Sequence, residues 1–426
     1  MNPLAAAQEG HQQELTGTQS LINMLKKIFI FSSLILILAL AIWVMFFRNN
    51  NAPLAEVIRN ALPFGSGENS GQPTTDNQQL TTEGGDAFDE FGQPTVNLFR
   101  LAVEPVAGFV VLTNVVRYID RATGHIYDVD LATLKKTKII NKTLPKIYEV
   151  YFRADGNAVL LRYLRDDSDT VENLALTLTP PKATSTDGLY EVSATLLRGD
   201  IESVAVGAGN ALYYSLNDSG AIASSAFNNI ALKTLFSSVF TDWRLSGAGS
   251  SLIIYTKAGS TAPGYAYTLN QTNGNLTKLL GPLNGLAVMA DSSGTHIAYS
   301  YNNQNGGAGM EAKNLQTGAV IDIPLATIAE KCVWSGKNRG VIYCGSPVSE
   351  IGGNEPDNWY RGVTHFSDRI WRFDTNTEIA QILSEPKASL NMDIDASDLK
   401  LSPNEDYLIF TNKRDLSLWA LKLEPL

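Results

Sequence analysis

Three hydrophobic patterns follow one another along this chain. From Ile28 to Phe47 it reads IFIFSSLILILALAIWVMFF, twenty residues without a charge, with Lys26 and Lys27 before it and Arg48 after it. At ~1.5 Å rise per residue, a helix of that length crosses the ~30 Å hydrocarbon core of a bilayer. Residues 26–48 are therefore expected to form one transmembrane helix, with lipid as its partner. Apolar residues cover every face of that helix, which argues against a buried core helix. A cleaved signal peptide is the rival reading. Its apolar region runs ~7–15 residues and closes on small side chains, whereas this run is longer and closes on Met45-Phe46-Phe47. The two lysines place residues 1–25, a polar Gln-rich tail, in the cytoplasm. The rest of the chain is then extracytoplasmic, hung from the cell membrane by a single pass.

The second pattern is a near absence of large apolar residues. Residues 49–95 are rich in Asn, Gln, Gly, Thr and acid, as in ENSGQPTTDNQQLTTEGGDAFDEFG. Such a stretch offers too little burial to offset the entropy of ordering. It reads as a flexible linker, and a coil of ~45 residues reaches ~35–40 Å.

The third pattern begins near Val96 and holds to the end. A short apolar strand leads to a Gly/Asp/Asn turn, then to an apolar strand closing on an aromatic. Val150-Tyr151-Phe152 leads through Asp155-Gly156 to Tyr163, and Val204-Ala205-Val206 through Gly209-Asn210 to Tyr214. The same unit recurs around Tyr255, Tyr299, Tyr343 and Phe410, with a weaker first copy joining Phe99-Arg100-Leu101 to Val110-Val111-Leu112. The aromatics are spaced by 51, 41, 44, 44 and 67 residues. A period in the low forties suits a four-stranded propeller blade. Polar turns such as Leu131-Ala132-Thr133-Leu134, Leu315-Gln316-Thr317-Gly318 and Asp374-Thr375-Asn376-Thr377 fall later in several units and are assigned to outer hairpins. A lone blade cannot bury both faces, so the array closes on itself. Residues 96–426 are expected to form an all-β, seven-bladed β-propeller. A sandwich or two smaller β-domains is the alternative.

Charge and chemistry narrow the picture by exclusion. The net charge is −10, with 4 basic and 9 acidic residues before residue 96 and 29 and 34 after it. A mildly acidic domain lacks the basic patch that nucleic acid requires. The four histidines, His11, His125, His296 and His365, have no zinc-ligand spacing. No G-x-S-x-G, P-loop or dinucleotide glycine pattern occurs, so no catalytic residue and no cofactor is assigned.

Two segments carry a resemblance. LSPNEDYLIF (401–410) and ADSSGTHIAY (290–299) resemble the S-P-D-G core of TolB-like and WD-repeat-like propellers, although the combined G-H…W-D signature of true WD repeats is missing. The layout as a whole resembles single-pass bacterial envelope proteins that carry such a propeller. That resemblance implies a fold and a location. Two function classes stay open: a membrane-anchored scaffold of the cell envelope binding protein or glycan, and an extracytoplasmic hydrolase or lyase with an unrecognised propeller active site.

Three groups of side chains stand out. Asp166, Asp167, Asp169 and Glu172 cluster within seven residues; oxygen ligands suit Ca²⁺, but the spaced loop form is absent, and a solvated acidic loop is the other reading. The long interval before Phe410 holds Ser346 to Arg369, SPVSEIGGNEPDNWYRGVTHFSDR, placed by register between the second and third strands of the sixth blade. Its Trp359, Tyr360, His365 and Phe366, with Trp371 just beyond, are either partner-binding anchors or packing that caps the channel. Finally, a three-residue turn at Lys337-Asn338-Arg339 sets Cys332 opposite Cys344. Directly opposed antiparallel residues lie within disulfide reach, and an extracytoplasmic compartment lets the bond persist; reduced buried cysteines are the alternative.

Overall fold

In the repeating units, β-branched and aromatic residues alternate in burial along strands of three to nine residues, and polar turns reverse the chain between them. The computed structural model describes residues 97–424 except 166–169, 184, 186, 249–250 and 304–305. The expected tail, transmembrane helix and linker lie outside these residues. Among the described residues no helix is long and apolar enough to cross a membrane.

The strands form seven four-stranded antiparallel sheets, the blades of a β-propeller. The first strand, β1 (Leu98–Ala102), belongs to the last blade. Blade 1 holds β2 (Val106–Val111), β3 (Val115–Asp120), β4 (Ile126–Asp130) and β5 (Lys136–Ile140). Blade 2 holds β6 (Ile147–Phe152), β7 (Ala158–Leu164), β8 (Val171–Thr179) and β9 (Glu191–Leu196). Blade 3 holds β10 (Ile201–Val206), β11 (Ala211–Leu216), β12 (Ile222–Ala226) and β13 (Lys233–Phe236). Blade 4 holds β14 (Trp243–Ala248), β15 (Ser251–Thr256), β16 (Pro263–Asn270) and β17 (Leu276–Asn284). Blade 5 holds β18 (Ala287–Ala290), β19 (His296–Asn302), β20 (Ala308–Asn314) and β21 (Val320–Asp322). Blade 6 holds β22 (Cys332–Trp334), β23 (Val341–Pro347), β24 (Asp368–Asp374) and β25 (Ile379–Ser384). Blade 7 holds β26 (Ala396–Leu401), β27 (Tyr407–Asn412) and β28 (Leu418–Lys422), with β1 paired to β28 as its outer strand.

That pairing corrects one detail of the repeat. Phe99-Arg100-Leu101 is not the inner strand of a first unit; β2 is. Ring closure is non-local, and the N-terminal strand completes the last sheet by bonding residues more than 300 positions away, such as Phe99 with Ala420. Burial follows the same logic. One cluster joins Ala298 and Ala312 of blade 5 to Trp334, Ile342 and Phe373 of blade 6; another joins Val341 and Tyr343 of blade 6 to Leu408 and Phe410 of blade 7. Each core thus lies between neighbouring blades.

The outer turns behave as assigned. Asp130 Oδ1 accepts the N–H groups of Ala132 and Thr133 at 3.1 and 2.8 Å, and Asn314 Oδ1 those of Gln316 and Thr317 at 2.9 and 3.0 Å. These side chains close the reversal locally. The sixth hairpin has the expected register, with Cys332 opposite Cys344 and Trp334 opposite Ile342. The two cysteines form a disulfide with Cα atoms 4.1 Å apart.

Candidate functional site

In each meander the blade-to-blade connections and the loops between second and third strands share one face of the ring, here called the upper face. The lower face carries the other two turns of each blade. Residues 348–367, between β23 and β24, form the insert of blade 6 on the upper face. Two short helices occur on this part of the chain, α1 (Asp357–Tyr360) and α2 (Pro386–Leu390). A one-turn 3₁₀ segment, Ala329–Lys331, leads into β22.

The insert is folded across four blades. Ile351, Trp359 and Phe366 pack with Ala258 of blade 4, Ala287 of blade 5, and Ile328 and Ala329 of the connection between blades 5 and 6. Asp357 Oδ2 accepts the Ser260 N–H at 2.6 Å, and Asn302 Nδ2 donates to the Glu355 carbonyl at 3.0 Å. From blade 7, Lys413 Nζ donates to the Trp359 carbonyl at 2.6 Å and lies 4.5 Å from its ring centroid.

Beneath the insert is a charged cluster without solvent exposure. Lys331 Nζ lies 2.8 Å from Asp368 Oδ2 and also bonds Asp395 Oδ1, and the exposure of all three side chains is 0%. Trp359 Nε1 donates to both Asp395 oxygens, at 3.1 and 3.0 Å. The Phe366 N–H donates to Asp395 Oδ2 at 3.1 Å, and the Ala396 N–H to Asp368 Oδ2 at 2.7 Å. Gly345 makes room for this arrangement, since a Cβ there would stand 3.0 Å from Asp368 Oδ2 and 2.9 Å from the Ala396 Cβ. Burial pushes the Asp368 carboxyl up to about 6, against the opposing pull of Lys331.

A second polar group sits where the insert meets the inner ends of the blades. Tyr255 of β15 and Tyr360 of the insert donate to Glu330 Oε1 at 3.1 and 3.0 Å. Glu330 is half-buried, and among the described residues it forms no ion pair. Burial pushes its carboxyl up, while the two tyrosines and the more distant charges of Arg244 and Lys413 oppose that shift. Arg244 Nη1 pairs instead with Glu202 at 3.2 Å, and Arg162 Nη1 with Glu149 at 2.7 Å. Glu330 therefore offers a carboxyl oxygen flanked by phenols, suited to accepting a hydrogen bond or a proton.

The structure distributes the sequence candidates unevenly. Trp359 and Phe366 are buried over the charged cluster and hold the insert down. Tyr360 is half-buried at Glu330, and His365, with a side chain 36% exposed, places Nδ1 3.9 Å from Asp395 Oδ2. Trp371 lies in β24 opposite Cys344, packed between blades and outside the insert. The insert is exposed at 348–350, 352–354, 361–363 and His365, with Val363 the most exposed of its large apolar residues at 70%.

Of the acidic group, Asp166, Asp167 and Asp169 lie outside the described residues. Glu172 accepts the Tyr163 hydroxyl at 2.5 Å and pairs with Arg165 at 3.6 Å. Among the described residues no three His, Cys, Asp or Glu side chains gather as metal ligands. On the lower face a cleft of about 280 Å³ is lined by Lys337, Tyr343, Asn404 and Glu405. Its Glu405 carboxylate already accepts from Gly336, Lys337 and Ser335.

Sequence reading missed Glu330, Lys331, Asp368, Asp395 and Lys413. The one available signal was a charged residue standing directly before an apolar strand, as in Glu330-Lys331-Cys332-Val333-Trp334 and Asp395-Ala396.

A scan against protein-family models finds no match, and no curated protein matches by sequence. Solved structures do match. An oligogalacturonate lyase from Vibrio parahaemolyticus superposes with TM-score 0.50 at 9% identity, covering 77% of this chain and 93% of that one. A GH74 xyloglucanase from Xanthomonas campestris gives 0.49 at 14%, covering 77% and 54%. YCF48 bound to D1 peptide gives 0.49 at 10%, covering 77% and 94%. At these identities the likeness speaks for the propeller fold alone.

Proposed function

We propose that this protein is a membrane-anchored, extracytoplasmic binding scaffold of the cell envelope, engaging protein or glycan through the upper face of blades 4 to 7. The carrying observation is the insert of blade 6. It is folded across several blades, Trp359 and Phe366 anchor it from beneath, and it leaves Arg361-Gly362-Val363 exposed with Tyr360 and His365 beside them. A rigid loop presenting a small polar and apolar ridge suits recognition. The disulfide supports an oxidising compartment, as does the charge-free stretch from Ile28 to Phe47.

Two experiments test this reading. Protease added to intact spheroplasts should digest the C-terminal domain; full protection contradicts the location. Full-length protein recovered from its own cells should retain a bound partner that Arg361→Glu/Val363→Asp loses. A partner retained equally by both proteins counts against this face.

One observation favours the enzymatic alternative. Glu330 combines a raised carboxyl with two phenol donors in a partly open site, the form a proton acceptor or donor takes. Turnover of an envelope glycan or peptide that Glu330→Gln abolishes without loss of fold would favour the hydrolase or lyase reading.

A further inference from the structure

In the fully buried part of the cluster beneath the insert acid outnumbers base, while His365 Nδ1, 3.9 Å from Asp395 Oδ2, and Lys413, over the Trp359 ring, stand at its more exposed edge. One ammonium faces two carboxylates, all without solvent exposure. Its apolar walls are Trp359 and Phe366, whose ring centroids lie 5.3 and 5.1 Å from Lys331 Nζ. An unpaired charge in such a place is costly, so a proton settles on one carboxyl. Asp368 is that carboxyl, since burial raises it and its Oδ1 has no hydrogen-bond partner among the described residues. Asp395 is held differently. It receives Trp359 Nε1 on both oxygens and the Phe366 N–H on Oδ2. Donors fixed in that way stabilise the negative charge that develops on oxygen when a carboxyl carbon is attacked.

We propose that Lys331 and Asp395 condense into an amide, an intramolecular cross-link formed in the folded protein with Asp368 as proton carrier. The amine, having passed a proton to the carboxylates, attacks Asp395 Cγ. The tetrahedral adduct keeps Oδ2 under the Trp359 and Phe366 N–H groups. Asp368 accepts a proton from the nitrogen and delivers one to Oδ1; the Cγ–Oδ1 bond breaks and water leaves. One ammonium and one carboxylate are consumed, one secondary amide and one water are formed, and no oxidant or reductant takes part. Fixed neighbours react with effective molarities of roughly 10⁵–10⁸ M, and condensation removes two charges from an interior that penalises them. The amide joins residues 64 positions apart. It links the chain entering blade 6 to the chain entering blade 7, so that blade 6 and its insert lie within one covalent ring.

Intact-mass spectrometry of the reduced and alkylated full chain tests the proposal. The expected mass is lighter by one water than the sequence mass with both cysteines alkylated, with a branched peptide joining Lys331 to Asp395 in the digest. Lys331→Arg keeps a cation but cannot condense in this way, and should have the full mass. Asp368→Asn keeps both reactants without the proton carrier, and should also have the full mass while remaining folded by circular dichroism. A wild-type chain at full mass, with Lys331 recovered unmodified, overturns the cross-link whatever the variants do. Water loss persisting in Asp368→Asn overturns the role given to Asp368.

Discussion

The two faces of this propeller are built on different length scales. On the lower face most turns close on themselves, as Asp130 does with Ala132 and Thr133, or Asn270 with Thr272 and Asn273. Glu405, reaching from blade 7 to the hairpin of blade 6, is an exception. On the upper face at blades 4 to 7, the holding contacts join distant parts of the chain: Asp357 to Ser260, Tyr360 to Glu330, Trp359 and Lys331 to Asp395. The repeat uses short-range chemistry to make blades. The specialised face uses long-range charge and aromatic packing to hold one insert in place.

That contrast ranks the expected effects of mutation. Lys331→Ala removes the buried amine, and with it any amide to Asp395, and leaves two buried carboxylates facing each other; loss of one partner of a buried charged group alone costs roughly 3–5 kcal/mol, and denaturant unfolding of the full chain measures it. A loss under 1 kcal/mol would break the comparison.

Asp368 should give the next largest effect, with a defined sign. With Lys331 and Asp395 uncondensed, the folded protein holds the Asp368 proton up to about 6, whereas the unfolded chain releases it near the ordinary 3.8. The folded state therefore binds the extra proton between those values, and stability rises as pH falls through that window. The gain is of order 2–3 kcal/mol at about 1.4 kcal/mol per unit. Asp368→Asn should flatten that part of the profile, read from unfolding midpoints between pH 4 and 7. An unchanged slope would assign the window to another group.

Smaller effects follow. Cys332→Ser/Cys344→Ser opens a loop of sequence separation 12 and should cost about 2 kcal/mol, seen as a lower thermal midpoint under non-reducing conditions. Asp130→Ala, on the lower face, should cost about 1 kcal/mol or less, since the lost hydrogen bonds are exposed. A larger loss at Asp130 than at the disulfide would reverse the ranking of the two faces.

The same contrast explains what was legible beforehand. The blades could be read because their signals are local: an apolar triplet, a polar turn and an aromatic closing the next strand, repeated some forty residues on. The Cys332–Cys344 pairing could be read because a three-residue turn fixes the register of the whole hairpin. The position of the insert could also be read, as an excess of residues between two strands. What its side chains touch could not. Trp359 and Tyr360 are neighbours in sequence with similar amphipathic character, yet one is buried against Asp395 and the other meets Glu330. Those partners come from connections outside the insert, and no spacing within it encodes them. The assignment of Phe99 to a first unit failed for the same reason, because ring closure pairs the two ends of the domain.

The central claim is that the insert side of the upper face meets the partner. Site-specific photo-cross-linking in intact cells tests it most directly, with benzoylphenylalanine replacing Val363 on the insert or, as a control, Ile379 on the outer strand of blade 6. Both side chains are well exposed, at 70% and 60%, so reach alone does not separate them. The account predicts a discrete adduct from position 363 and none from position 379. Adducts from position 379 alone, or from neither position, would contradict it.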